Sequence, residues 1–97
     1  MTVQDVVSEI QEKASQSSPI GHTFKFVFED GVIYVDSTGE ETIVTEEDGE
    51  ADCAMHMKMK TFEKLKAGKL NPMTAVMFGK IKIKGDMGVA MKLQKFL

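Results

Sequence analysis

Apolar positions at Val3, Val6, Val7, Ile10 and Ala14 recur at three- and four-residue intervals, the spacing that places side chains on one face of an α-helix. Gln4, Asp5, Glu9 and Lys13 fall on its polar face, and Thr2 stands where an N-cap is needed. Residues 15–21, rich in serine and containing Pro19 and Gly21, break the pattern and predict a loop. The period then changes to two. Phe24, Phe26 and Phe28 alternate with Lys25, Val27 and Glu29, which predicts a strand with one buried face. Asp30-Gly31 predicts a two-residue hairpin turn, and that loop pairs Phe28 with Ile33, Phe26 with Val35 and Lys25 with Asp36.

Residues 42–45 give a further short strand, ahead of an acidic loop over residues 46–50 that lacks the alternating ligands of an EF-hand. Cys53, Met55 and Met57 share one face of the next strand, with Asp52, Ala54, His56 and Lys58 opposite. Phe62 and Leu65 lie in a short helix that Gly68 ends. Lys58-Met59-Lys60 puts cations at the positive end of that helix, which predicts a late start at Thr61 or a frayed first turn. Asn71-Pro72 is a cap followed by proline at the first helical position, and Gly79 closes that helix. Lys80, Lys82 and Lys84 alternate with Ile81 and Ile83, giving a strand with its lysines toward water.

Asp86 can cap a last helix carrying Met87, Val89, Ala90, Met91, Leu93, Phe96 and Leu97. These wrap around more of the helix than the apolar stripe of about 100° that a surface helix needs. The elements predict an α+β fold: an N-terminal helix, a five-stranded, mostly antiparallel sheet with one face covered by helices, and a final strand and helix crossing back over the core. With 97 residues, 42% of them hydrophobic, one domain over residues 1–97 with one core is expected.

Charge alters this picture only in its distribution. The net charge is −3, yet 13 acids and two lysines precede Lys58, while ten lysines and two acids follow from it. The two parts can neutralise one another in the fold, or the basic part can form a face for anionic lipid headgroups. Nucleic acid is not an expected partner: arginine is absent and the phenylalanines alternate as buried residues do. Cys53 is the single cysteine, which excludes an internal disulfide. The acidic N-terminal segment does not read as a signal peptide, and no stretch approaches the roughly 18 apolar residues of a membrane span. The expectation is a soluble, cytoplasmic protein.

The residues carry no assembled chemistry. Cys53 and His56 are three apart on a strand and so point to opposite faces, which rules out a local nucleophile and base pair. His22 precedes the first phenylalanine strand and His56 reads as a solvent-face residue. No phosphate loop, carboxylate pair or metal-ligand spacing occurs, so no catalytic residue, metal or cofactor is expected. What stands out is methionine: seven of eight fall in predicted strands or helices. Such a layer is either a core with loose packing demands or an adaptable binding surface, because methionine is flexible and polarizable.

From Cys53 to Gln94 the order Cys-Ala-Met-His-Met, Phe62, Gly68-Lys69-Leu70-Asn71-Pro72, residues 79–88 and Ala90-Met91-Lys92-Leu93-Gln94 strongly resembles the sterol carrier protein 2 family. The resemblance implies a lipid tunnel between sheet and helices, with the C-terminal helix as one wall. It implies a non-enzymatic carrier of fatty acid, fatty acyl-CoA, phospholipid or sterol. Under that resemblance the candidate lining residues are Phe26, Met55, Phe62, Leu65, Val76, Met77, Ile83, Met87, Ala90, Met91 and Leu93, and the candidate headgroup contacts are Lys69 and Lys92. The expected partners are a hydrophobic lipid and, transiently, an anionic membrane surface, with the protein monomeric. The competing reading is a structural or regulatory module whose apolar C-terminal helix docks on a partner or membrane. Two departures from the family pattern bear on this. The chain ends Lys95-Phe96-Leu97 rather than in a Ser-Lys-Leu type signal, which leaves peroxisomal delivery unsupported, and residues 73–78 differ from the family's usual run, which predicts a different tunnel shape.

Overall fold

The computed structural model describes residues 1–92. Helix α1 (Val3–Ser15) opens with a capping box: the Thr2 hydroxyl accepts from the Asp5 N–H at 3.2 Å and the Asp5 carboxylate accepts from the Thr2 N–H at 2.8 Å. Five strands follow, β1 (Thr23–Phe28), β2 (Gly31–Asp36), β3 (Ile43–Thr45), β4 (Cys53–Met57) and β5 (Ile81–Gly85). Between β4 and β5 lie α2 (Met59–Lys66) and α3 (Pro72–Met77), and α4 (Met87–Lys92) comes last. The sheet order is β3-β2-β1-β4-β5. Three of its pairings are antiparallel and the central one, β1 with β4, is parallel, so the sheet is mixed. The final strand forms an edge beside β4 rather than crossing over the core, and α4 packs on β4 and β5.

Every second residue of the central strands turns inward. Phe24, Phe26, Phe28, Ile33, Val35, Cys53, Met55, Met57 and Ile81 are buried, together with Val6, Ile10 and Ala14 of α1 and Phe62 and Leu65 of α2. Phe62 meets Phe28 edge-on at 5.5 Å and Phe26 at 6.0 Å between ring centroids, geometry that adds about 0.5–1.5 kcal/mol per pair beyond burial. At the far end of the sheet the buried Ser37 hydroxyl accepts from the Ile20 N–H and bonds the Thr42 hydroxyl, both at 2.9 Å. Those bonds fix the loop entering β1 against the turn leaving β2. With Thr42 engaged in this way, β3 begins at Ile43.

The hairpin keeps the expected faces but not the expected register. Phe26 lies opposite Ile33 and Phe24 opposite Val35, so the turn residues are Glu29 and Asp30, and Gly31 already belongs to β2. No residue other than glycine has positive φ among those described, so Asp30 does not supply a mirror-image turn. Lys25 then faces Tyr34 rather than Asp36. Its ammonium donates to the Asp48 carboxylate at 2.8 Å and the Gly49 carbonyl at 2.9 Å, while the Tyr34 hydroxyl donates to the Glu50 carbonyl at 2.6 Å. The acidic loop is thus folded onto the outer face of the sheet, and Lys25 is drawn to it.

Helix α2 departs from expectation for a related reason. It starts at Met59, ahead of Thr61, and the Lys58 side chain makes no capping bond. The Glu29 carboxylate, from the hairpin turn, instead accepts from the Met59 N–H at 2.6 Å. An acid at the positive end of the helix offsets the lysines there. Helix α3 follows the sequence pattern closely: the Asn71 side chain accepts from the Met73 N–H at 2.8 Å and the Thr74 N–H at 3.4 Å. It ends in a Schellman turn, with Gly79 at φ +74 and the Lys80 N–H donating to the Ala75 carbonyl at 2.8 Å.

Candidate functional site

β4 and β5 pair with Met55 opposite Ile83 and Met57 opposite Ile81, which sets Met55, Ile81 and Ile83 on the inward side at the sheet's edge. Two short helices close over them. Pro72, Met73 and Val76 share one side of α3 by their i, i+3 and i+4 spacing, and Met87, Ala90 and Met91 share one side of α4. The Asp86 carboxylate starts α4 by accepting from the Gly88 N–H at 2.7 Å and the Val89 N–H at 3.4 Å. Together these nine residues line a hollow of about 80 Å³ whose walls are wholly apolar side chains.

The hollow is small. Ligand pockets usually enclose about 300–1,000 Å³, so a long guest needs the walls to part. Met73, Met87 and Met91 are more than half exposed, and α4 is held to the sheet by the buried Val89 and Ala90. An unfilled apolar space of this size costs at most about 2 kcal/mol in lost packing, which a chain of methylenes would recover. A larger depression of about 320 Å³ lies between the end of α1 and Glu40–Thr42, but there Gln11, Ser15, Ser17, Glu40 and Glu41 join Ala14 and Pro19 in a mixed polar and apolar lining.

Met55, Val76, Ile83, Met87, Ala90 and Met91 of the sequence-derived lining residues are brought together here. Phe26, Phe62 and Leu65 are not: they pack in the core where α2 meets the sheet, and an inward-facing pattern alone could not distinguish a filled interior from a hollow one. Met77 also lies apart: it is 82% exposed and does not line the hollow. Leu93 is outside the described residues. Lys69 follows Gly68 in the exposed link between α2 and α3, and Lys92, also exposed, adjoins Met91 on α4. Pro72, Met73 and Ile81 were missed by the sequence reading. Their signals were present, since Ile81 shares the alternation of Ile83 and Met73 stands three residues from Val76.

Outside the hollow the polar groups do not converge. Cys53 is buried on the inward face opposite Gly85, and burial pushes its thiol pKa up, aided by the nearby carboxylates of Asp86 and Asp52. His56 lies on the outer face opposite Lys82. Burial lowers its pKa, and Lys84, Lys25 and Lys82 lower it further. The His22 ring lies 3.3 Å from the Asp52 carboxylate. Among the described residues no group of three or more metal-ligating side chains occurs, and no helix is long and apolar enough to cross a membrane.

Residues 4–97 match the model of the SCP-2 sterol transfer family. The chain belongs to that family. Among curated relatives, SCP-2 family members include sterol carrier protein 2 of Gallus gallus, 34% identical over 102 residues that take in 97% of this chain. Human hydroxysteroid dehydrogenase-like protein 2 is 37% identical over 98 residues, 98% of the chain. The chain spans only 19% of the first protein and 23% of the second, so it corresponds to one part of much longer relatives. The crystal structure of sterol carrier protein 2 like 2 from Aedes aegypti superposes with a TM-score of 0.79 at 17% identity, covering 98% of this chain and 95% of that one. The palmitated form of that protein, solved in solution, superposes at 0.73 with 20% identity, covering 98% and 93%. These likenesses establish the shared SCP-2 fold.

Proposed function

We propose that this domain, residues 1–97, is a non-enzymatic lipid carrier that takes a fatty acid, fatty acyl-CoA, phospholipid or sterol into the hollow between β4–β5 and the helices α3 and α4. The observation that carries the reading is the lining: nine residues, none with a polar side chain, three of them partly exposed methionines. Transfer of each buried methylene from water contributes roughly 0.8 kcal/mol, so an acyl chain is held without a specific polar anchor. Methionine walls accommodate guests of different shape, and the exposure of Met73, Met87 and Met91 offers a route for widening. Membership of the SCP-2 family and the palmitated form of a protein with the same fold favour this reading. Lys69 and Lys92 are the proposed contacts for a carboxylate or phosphate headgroup.

The carrier acts as a cytoplasmic monomer that meets anionic membranes transiently to load and unload. Native mass spectrometry of freshly purified protein tests the proposal. Co-purified lipid at one molecule per chain is expected, and delipidated protein should regain it from added palmitate. Protein that stays empty at saturating palmitate rejects the carrier reading. Light scattering separates it from a docking module, since a carrier stays monomeric when loaded.

A further inference from the structure

The exposed end of α3 is not accounted for by the hollow. Met77 and Phe78 are 82% and 75% exposed and adjacent in the chain, while the helix is anchored inward by the buried Ala75. Directly after them, Gly79 and Lys80 enter a depression of about 380 Å³ whose other lining residues are Lys58, Lys60, Thr61 and Lys64. The sheet register explains the gathering of charge: with Met57 opposite Ile81, the chain leaving β4 and the chain entering β5 bring Lys58 and Lys80 to the same end. Lys60 and Lys64 then follow four apart on one side of α2. Among the described residues no acid lines the depression. Glu63, the only acid in α2, is not part of it, and Glu29 is engaged at the Met59 N–H.

We propose that this end of α3 is the membrane-docking surface, with Met77 and Phe78 entering the acyl region of an anionic bilayer while Lys58, Lys60, Lys64 and Lys80 hold its headgroups. Met77 and Phe78 form an apolar wedge whose next residues in the chain enter a lysine-lined depression, the pairing of apolar tip and cations that an anionic bilayer complements. The surrounding cations are all lysines, flexible point charges suited to a mobile layer of headgroups rather than to fixed bidentate partners. Docking in this orientation sets Met73, one turn from Met77 on the same short helix, beside the bilayer, and Met73 lines the hollow. The purpose of docking rests on the carrier reading, but the binding itself requires no occupied hollow.

The chain has no tryptophan, so Phe78→Trp is a site-specific reporter at an exposed position. With delipidated protein and vesicles of equimolar phosphatidylcholine and phosphatidylserine, its emission should shift to the blue and be quenched by brominated acyl chains. Vesicles of phosphatidylcholine alone should produce little change. Adding Lys60→Glu and Lys64→Glu should reduce partitioning at least about twentyfold, at roughly fivefold for each lysine removed. All three positions are exposed, and circular dichroism verifies folding. Equal binding to neutral vesicles, or indifference to the lysine reversals, overturns the proposal. So does a blue shift that grows with protein concentration in the absence of vesicles, which would identify a second copy as the occupant. Failure of the carrier reading looks different: protein that docks on vesicles yet stays empty of palmitate by native mass spectrometry.

Discussion

The Glu29 carboxylate, in the turn between β1 and β2, accepts a hydrogen bond from the backbone N–H of Met59 at 2.6 Å, thirty residues on. The relationship joins the tip of a hairpin to the start of a helix that has no cap of its own and no acid in its first turn. Capping bonds of this kind contribute about 0.5–2 kcal/mol. Glu29→Ala should therefore lower the urea midpoint by the equivalent of about 1 kcal/mol, and Lys58→Asp in that background should restore part of it by supplying a local cap. No loss in Glu29→Ala would show that the bond adds nothing to stability.

The case of Glu29 marks where sequence reasoning stopped. Local signals such as Thr2, Asn71-Pro72 and Asp86 were legible because a cap and the N–H groups it accepts from lie within three residues of each other. The lysine-rich start of α2 predicts a late start at Thr61 or a frayed first turn, and neither occurs, because the remedy comes from a distant turn. Hairpin register failed similarly. A shift of two residues leaves Phe24, Phe26 and Phe28 facing inward, so the hydrophobic pattern does not choose between the two registers; the chosen one frees Glu29 for the turn. At the hollow, alternation identified Met55 and Ile83 as inward, yet it marked Phe26 and Phe62 in the same way. Whether inward residues meet other side chains or an opening depends on how many layers cover them, and that is a property of tertiary packing. In α3, six residues long, periodicity is too short to rank Val76 over Met77.

Gly85 pairs with Cys53 and has φ +103, and a Cβ there would lie 2.3 Å from the Asp52 carbonyl oxygen. The same carbonyl accepts from the Asp86 N–H at 2.8 Å, so this backbone crossing sets where α4 begins. Both the positive φ and the contact with backbone oppose any side chain. Gly85→Ala should cost at least about 2 kcal/mol and lower Tm by roughly 10 °C. A variant with unchanged Tm would show that the crossing is not constrained as described.

His56 should make the fold less stable toward acid. Its folded-state pKa is lowered from the ordinary 6.5 by burial, then by Lys84, Lys25 and Lys82. As pH falls through 6.5, the unfolded chain takes up the proton more readily than the folded one, so stability is full above that pH and declines below it, until the folded imidazole also protonates. His56→Gln should flatten this part of the profile of urea midpoint against pH, and Lys84→Gln should do so in part. If the profiles of the wild-type and His56→Gln proteins run parallel below pH 6.5, the histidine is not responsible.

Val76 and Met77 are consecutive apolar residues of α3 with opposite surroundings. Val76 lines the hollow, whereas Met77 is 82% exposed. A carboxylate at Val76 would have to be desolvated whenever an acyl chain packed against it, so Val76→Asp should weaken palmitate binding at least about tenfold. Met77→Asp meets water and should leave uptake from solution within about twofold of wild type, the usual range for an exposed substitution. Displacement of a fluorescent fatty acid from delipidated protein measures both, with circular dichroism to show that each variant is folded. Met77→Asp should at the same time weaken partitioning onto anionic vesicles, which Val76→Asp should leave in place. Equal losses of palmitate affinity in the two variants would mean that the hollow opens toward the outer side of α3, whereas undiminished uptake by a folded Val76→Asp protein would place the lipid elsewhere.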